Sequence, residues 1–298
     1  MKNRNVVKQD YRLNNARYKL DTNEMKFIAI AIAQIDTDDD ELKEYEVKIS
    51  ELEAKLQAEQ NETRLKRFAK KIMSKPLEVP TSTGWEVYNW FSKIEYVRNE
   101  AKFKVQIHKD LRVYLLDFKK RFVKYNLKYI LALTSNYAIR IYQLLKEYEK
   151  VTKRTFTVEE LQDILQVPKS YKAKYNDFKK RILKVAEKEL IEHCDIFFEY
   201  EEIKINKKVT EILFRIKKNV NVLKQEQQQA RQQTFKDTEL DKDLQKYIGK
   251  VLYLNGFDFK IISISKKDNK YSVSCHEVDD KNYIKTFEIS EAQLNAAK

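Results

Sequence analysis

Between Lys169 and Lys188 the sequence sets eight basic side chains against two acids, Asp177 and Glu187. The bases are Lys169, Lys172, Lys174, Lys179, Lys180, Arg181, Lys184 and Lys188. Ammonium and guanidinium groups at this density suit a polyanion, because they displace the counterions condensed on a phosphate backbone. Tyr175, Phe178, Ile182, Leu183, Val185, Ala186 and Leu190 interleave with them at helical spacing. In a helix-turn-helix, the N-terminal part of the second helix enters the major groove. There Lys and Arg can meet guanine O6 and N7, and Asn or Gln can meet adenine. Asn176 is the amide placed for that role. A bare charge run is more often a solvated helix face, so the element order around it must decide.

Three smaller sets accompany this run. "KINKK" puts Lys204, Lys207 and Lys208 around a hairpin turn, where they could track phosphates or enter a minor groove. "NETRLKRFAKK" puts Thr63, Arg64, Lys66 and Arg67 on a helix that Asn61 would cap. Arg64 and Arg67 are its stronger candidates for DNA contact, although a structural or dimerising role competes. "LTSNYAIRIYQLLKEYEK" opens with Ser135, a helix cap. Ser135 and Arg140, the latter off the apolar stripe, are read as phosphate contacts or holders of the domain junction.

Other chemistries find no support. His108, His193 and His276 lie far apart, without metal-ligand spacing and without the histidine pair of a nicking enzyme. With three glycines in the chain, no Walker A loop and no GxGxxG exists. The reading is therefore of a protein with no catalytic residue, metal or cofactor. Acidic clusters such as "DTDDDE" and "EVDD" read as solvated loops. Cys194 and Cys275 read as packed thiols in a reducing cytoplasm. Trp85, Trp90 and Phe91 could stack on bases, but strand aromatics are more often core, and core is the expectation here.

Composition agrees with the charge run. The 298 residues carry a net charge of +13 and a pI near 9.3. That is the electrostatic footprint of a nucleic-acid binder. An anionic membrane would want a purely basic polar face, whereas "KEYEK" and "EELQD" mix both signs. The longest apolar run, "FIAIAIA", is far shorter than the roughly 20 residues of a membrane span. The polar N-terminus shows no signal peptide.

The elements that must position the bases repeat in order. Asp21 or Thr22 caps a helix to Ile35; "YEVKI" is a strand; a short helix starts at Ser50; a longer one spans Glu62 to Ser74; a β-ribbon follows. After the helix from Ser135, "RTFTV" is a strand, Thr157 caps a short helix, and Pro168 stops it. A long helix, Lys172 to His193, and two strands joined by "NKK" complete the set. Helix, strand, short helix, long helix, hairpin is the order of a winged helix. The fold expected is α+β: a basic arm (1–20), two tandem winged-helix domains (21–122 and 123–219), a Gln-rich linker (220–244) and a small all-β module (245–298).

"LTSNYAIRIYQLLKEY", "TVEELQDIL" and "YNDFKKRILKVAEKEL" together resemble the second winged helix of the plasmid replication initiators that act at iterons. "NNARYKLDTNEMKFIAIAIAQI" resembles the opening helix of the first. The resemblance covers about residues 5–217. It implies that monomers bind directly repeated sites in double-stranded DNA at a plasmid origin, both winged helices touching each repeat. Local melting and recruitment of a host initiator and helicase would follow, in a bacterial cytoplasm and without a membrane. It also implies homodimers, in equilibrium with monomers, that join through the first winged helix and repress the protein's own promoter. "DTDDDE" and the C-terminal module depart from the family pattern. A transcriptional regulator on the same fold is the rival reading.

Overall fold

The computed structural model describes residues 5–36, 38–52, 62–117, 122–254, 257–267, 270–278 and 284–297. The chain divides into two compact units, Met1–Val222 and Leu223–Lys298.

The expected basic arm is, from Val6 on, part of the fold. Strand β1 (Val6–Asp10) pairs antiparallel with β7 (Phe122–Asn126), Val6 opposite Asn126 and Asp10 opposite Phe122. Val7 is fully buried, and helix α1 (Tyr11–Asn15) buries Leu13. The boundary expected at 122/123 therefore falls inside β7, a strand that pairs with the N-terminal segment, and both winged helices share the first unit.

Helix α2 (Thr22–Ile32) starts at a complete capping box. The Asp21 carboxylate accepts from the Glu24 N–H at 3.0 Å, and the Glu24 carboxylate accepts from the Asp21 N–H at 2.6 Å. Its apolar run is buried all round, and the Phe27 ring meets Phe68, Phe91 and Phe103 edge-on. Then come β2 (Glu44–Lys48), a 3₁₀ turn (Ile49–Glu51) and α3 (Glu62–Met73). Most of the short helix expected from Ser50, and Asn61, lie outside the described residues. Strands β3 (Leu77–Pro80) and β4 (Trp85–Tyr88) form a hairpin; β5 (Phe91–Val97) and β6 (Lys102–Ile107) form the wing. Trp90 and Phe91 are buried as expected, but Trp85 is 68% exposed on β4.

After β7, α4 (Leu127–Ala132) leads to α5 (Asn136–Lys146), whose first turn Ser135 caps through the Ala138 N–H. Strand β8 (Lys153–Thr157) and α6 (Val158–Ile164) precede Pro168. The long helix expected from Lys172 is broken. A single turn, α7 (Lys169–Lys172), ends at Ala173; Lys174 is extended, with φ −130° and ψ 120°. Helix α8 (Tyr175–Phe178) then runs through a π turn (Lys179–Leu183) into α9 (Lys184–His193). Buried Phe178, Ile182, Ala186 and Leu190 recur every four residues, which in a regular α-helix drifts about 40° per step. The wider π turn absorbs part of that drift and keeps the stripe on one face. Strands β9 (Ile196–Ile205) and β10 (Lys208–Lys218) close the unit.

The tandem architecture shows in the sheets. The first is ordered β2-β6-β5 and the second β8-β10-β9, both antiparallel. In each, the opening strand pairs with the last strand of the wing. The β3–β4 hairpin is an insertion in the first copy.

The segment expected as a linker is instead a helix, α10 (Val220–Gln245). Strands β11 (Val251–Leu254), β12 (Phe257–Lys267), β13 (Lys270–Glu277) and β14 (Ile284–Ile289) form an antiparallel meander in chain order. Leu252, Phe259, Ile261, Val273 and Cys275 are its core, beside Leu294 of α11 (Glu291–Asn295).

Candidate nucleic-acid interface

Helix α8 is held to the wing by one carboxylate. Glu202 of β9 accepts from the Tyr175 hydroxyl at 3.1 Å and pairs with the Lys179 ammonium at 2.7 Å. The hydrogen bond to Glu202 raises the Lys179 pKa above its ordinary value. Lys179, expected as a DNA contact, is thus half-buried and engaged with Glu202, which gives it a positioning role between helix and wing. Lys184 is likewise engaged, pairing with Glu187 at 2.6 Å.

The remaining candidates of this run are exposed: Lys169, Lys172, Lys174, Asn176, Lys180 and Arg181. Lys169 and Lys172 sit on α7, and Asn176, Lys180 and Arg181 on α8 and the π turn that continues it, with Lys174 at the break between them. The break brings Tyr171 under Arg181, whose guanidinium lies 5.0 Å from the ring centroid. A planar cation held over a ring keeps its fork oriented before any ligand arrives.

The second wing ends in a two-residue turn, Asn206 and Lys207, with φ of 48° and 67°. Positive φ at both positions is the geometry that follows the twist of a hairpin. Lys204, Lys207 and Lys208 are exposed around it, with no carboxylate at ion-pair distance among the described residues. The groove between helix and wing is lined by Lys179, Lys184 and Lys204 but also by Glu187, Glu199 and Glu202. Its mixed charge leaves the helix face and the wing tip as the positive surfaces.

The first winged helix differs. On α3, Leu65 and Ile72 are buried, Thr63, Lys66 and Arg67 are exposed, and Arg64 is half-buried. Lys71 pairs with Asp21 at 2.5 Å and Lys75 with Glu24 at 2.6 Å, tying α3 to the start of α2. At the wing tip Arg98 folds onto Glu62, and Lys102 is clamped between Glu46 at 2.6 Å and Glu100 at 2.5 Å. This wing carries its own counterions.

Neither residue expected at a phosphate or a junction offers a free group to a phosphate. Glu189 of α9 accepts from the Thr134 N–H and hydroxyl, both at 2.8 Å, and from the Ser135 N–H at 3.2 Å. A carboxylate therefore fills the anion position at the start of α5. Arg140 is 1% exposed. Its guanidinium donates to the Ala16 carbonyl at 2.7 Å and to the Tyr18 hydroxyl, and stacks 4.0 Å from the Tyr18 ring centroid. Burial holds its pKa below the ordinary value. Glu189→Ala is expected to lower stability by about 1–2 kcal/mol, the size of a lost helix cap. Urea unfolding measures it, and an unchanged midpoint contradicts it.

Tyr171, Glu189 and Glu202 were absent from the sequence-derived site. Each acts on a partner at least ten residues away, and no spacing rule reaches that far.

Two family models match the chain: "Initiator Replication protein, WH1" over residues 6–146, and "Initiator Rep protein, WH2" over residues 157–216. The chain belongs to the initiator replication protein family. Both candidate reading helices lie inside the matched ranges, and the C-terminal unit lies outside them. Among relatives, an Escherichia coli "Replication initiation protein" is 26% identical over 132 residues, 42% of this chain and 41% of that protein. The chain thus matches about two-fifths of that relative's length. A solved structure, "Crystal structure of Pi initiator protein in complex with iteron DNA", aligns with a TM-score of 0.56 at 18% identity. It covers 72% of this chain and 98% of that one. At that identity the likeness speaks for the fold.

Proposed function

We propose that this initiator-family chain binds double-stranded DNA at repeated sites, the iterons of a plasmid origin, and opens replication there. The observation that carries the reading is the exposed set Asn176, Lys180 and Arg181 on a helix that Glu202 pins beside a lysine-tipped wing. The Pi initiator, crystallised with iteron DNA, supports it by analogy of fold. Binding and deforming DNA need no catalytic residue, and the proposal includes none, nor a metal or cofactor. Local melting then admits a host initiator and helicase. The second winged helix does most of the reading, since the first wing is neutralised by its own carboxylates.

Dimers form, in this reading, through the first winged helix and repress the protein's own promoter. Strand β4 supports it: Trp85 and Val87, 68% and 51% exposed, share one face of an edge strand. Footprinting on the DNA beside the gene, coupled to plasmid maintenance, tests the whole proposal. Protected tandem repeats whose loss abolishes maintenance support it. A lone protected palindrome with maintenance unaffected makes the protein a transcriptional regulator.

Salt supplies a second test. With about six phosphates neutralised, affinity is expected to fall about 10³-fold between about 50 and 200 mM salt. A change below tenfold contradicts the electrostatic reading.

A further inference from the structure

The tip of the second wing carries an apolar side chain where a purely electrostatic clamp has no use for one. Ile205 is 61% exposed and Ile203 39%, on one face of β9. Single exposed apolar residues are common on protein surfaces. This one sits beside three exposed lysines, Lys204, Lys207 and Lys208, which draw the tip to a polyanion. The ribbon is narrow and paired to its end: Ile205 lies opposite Lys208, and only Asn206 and Lys207 turn the chain. Lys207 holds a φ of 67° without being glycine, a strained conformation that keeps the loop at two residues.

The tip also has a fixed place relative to the reading helix. Glu202 is the anchor to α8, and Ile205 lies three residues farther along an extended strand, about 10 Å beyond it. That reach is comparable to the width of a groove, so a helix in the major groove sets the tip at the neighbouring minor groove. Proteins that kink DNA there insert apolar side chains between base steps. The first wing lacks this combination: its tip reads Arg98, Asn99, Glu100, and Arg98 is folded onto Glu62.

We propose that Ile205 is a wedge: it enters the minor groove beside the bound repeat and unstacks a base step, while Lys204, Lys207 and Lys208 hold the flanking phosphates. The proposal rests on the DNA-binding reading above and adds to it a residue that deforms the duplex. Pyrimidine–purine steps such as TA, the easiest to kink and unstack, are the chemistry it suits.

The test uses the full chain and short duplexes tiled across the DNA beside its own gene, with 2-aminopurine at successive positions. Binding by the unmodified protein is expected to raise fluorescence at one or two positions flanking the protected repeat and to bend the duplex by at least about 20°. Ile205→Ser, at an exposed position, is expected to keep its circular dichroism melt and to bind within a few-fold. It should lose the fluorescence rise and most of the bend. Ile205→Leu keeps both; Lys207→Ala weakens binding but leaves the fluorescence of the saturated complex unchanged. An Ile205→Ser protein that still unstacks the step overturns the wedge. So does one that distorts DNA normally but loses self-association, which would assign this face to a second copy. If the unmodified protein protects the repeat without a fluorescence rise, the wedge falls and the DNA-binding reading stands. If it protects no DNA, both fall.

Discussion

Replacing Arg140 by alanine is expected to destabilise the first unit by about 3–5 kcal/mol, the range for emptying a large buried site. Two effects add. The guanidinium occupies interior volume against the Tyr18 ring, and its loss leaves a cavity. It also satisfies the Ala16 carbonyl and the Tyr18 hydroxyl, which would stay buried without it. Tyr18 donates onward to Gln143 at 3.5 Å, and Gln143 donates to Tyr125 at 2.8 Å, so the damage spreads through a buried network. Arg140→Met separates the terms. It keeps most of the volume and removes a buried charge, leaving mainly the unpaired carbonyl, at about 1–3 kcal/mol. Urea unfolding followed by circular dichroism reads both. Equal costs for alanine and methionine would mean that the hydrogen bonds carry the contact; no cost for alanine would mean that the packing at this site is not what joins residues 16–18 to α5.

Arg140 also shows where reading a sequence stops. It lies off the apolar stripe of α5, and on a helix with one buried face it would be exposed. Helix α5 is buried on more than one face, because residues 14–20 lie across its polar side: Asn14 donates to the Gln143 carbonyl at 3.1 Å, and Asn136 to the Leu20 carbonyl at 3.1 Å. Polar groups there recognise the backbone of another segment, a contact more than a hundred residues long in sequence. Strand β1 was hidden for the same reason: "VVKQD" has little strand character until β7 arrives to pair with it. The local signals were legible. Asp21, Ser135 and Thr157 cap the helices that their spacing predicts, and the tandem order of elements reappears as two sheets of one topology. Lys179 stood among its neighbours as one more surface base. Only its partner Glu202, on a strand reached after the helix ends, turns it into a strut.

Arg181 carries the sharpest functional expectation. It is exposed, near the start of the proposed reading helix, and its fork is oriented by the ring of Tyr171. Arg181→Ala is expected to weaken binding to the protected repeat by about 1–3 kcal/mol, roughly 5- to 150-fold. The pattern across sequences distinguishes the ways it could act. If the guanidinium reads a guanine edge, the loss is confined to the repeat, and repeats changed at that one base pair bind the variant and the unmodified protein alike. If it meets a phosphate, specific and random duplexes lose the same factor and the salt slope shrinks by about one. Arg181→Lys keeps the charge but loses the planar fork, so it rescues the phosphate case fully and the base case only in part. Tyr171→Leu is the companion variant. It leaves the cation in place and removes the ring, so it should cost part of what Arg181→Ala costs and nothing on a background that already lacks the arginine. Unchanged binding by Arg181→Ala to both kinds of duplex would remove this residue from the interface and shift the reading to Asn176 and Lys180, which share its helical segment but not its prop.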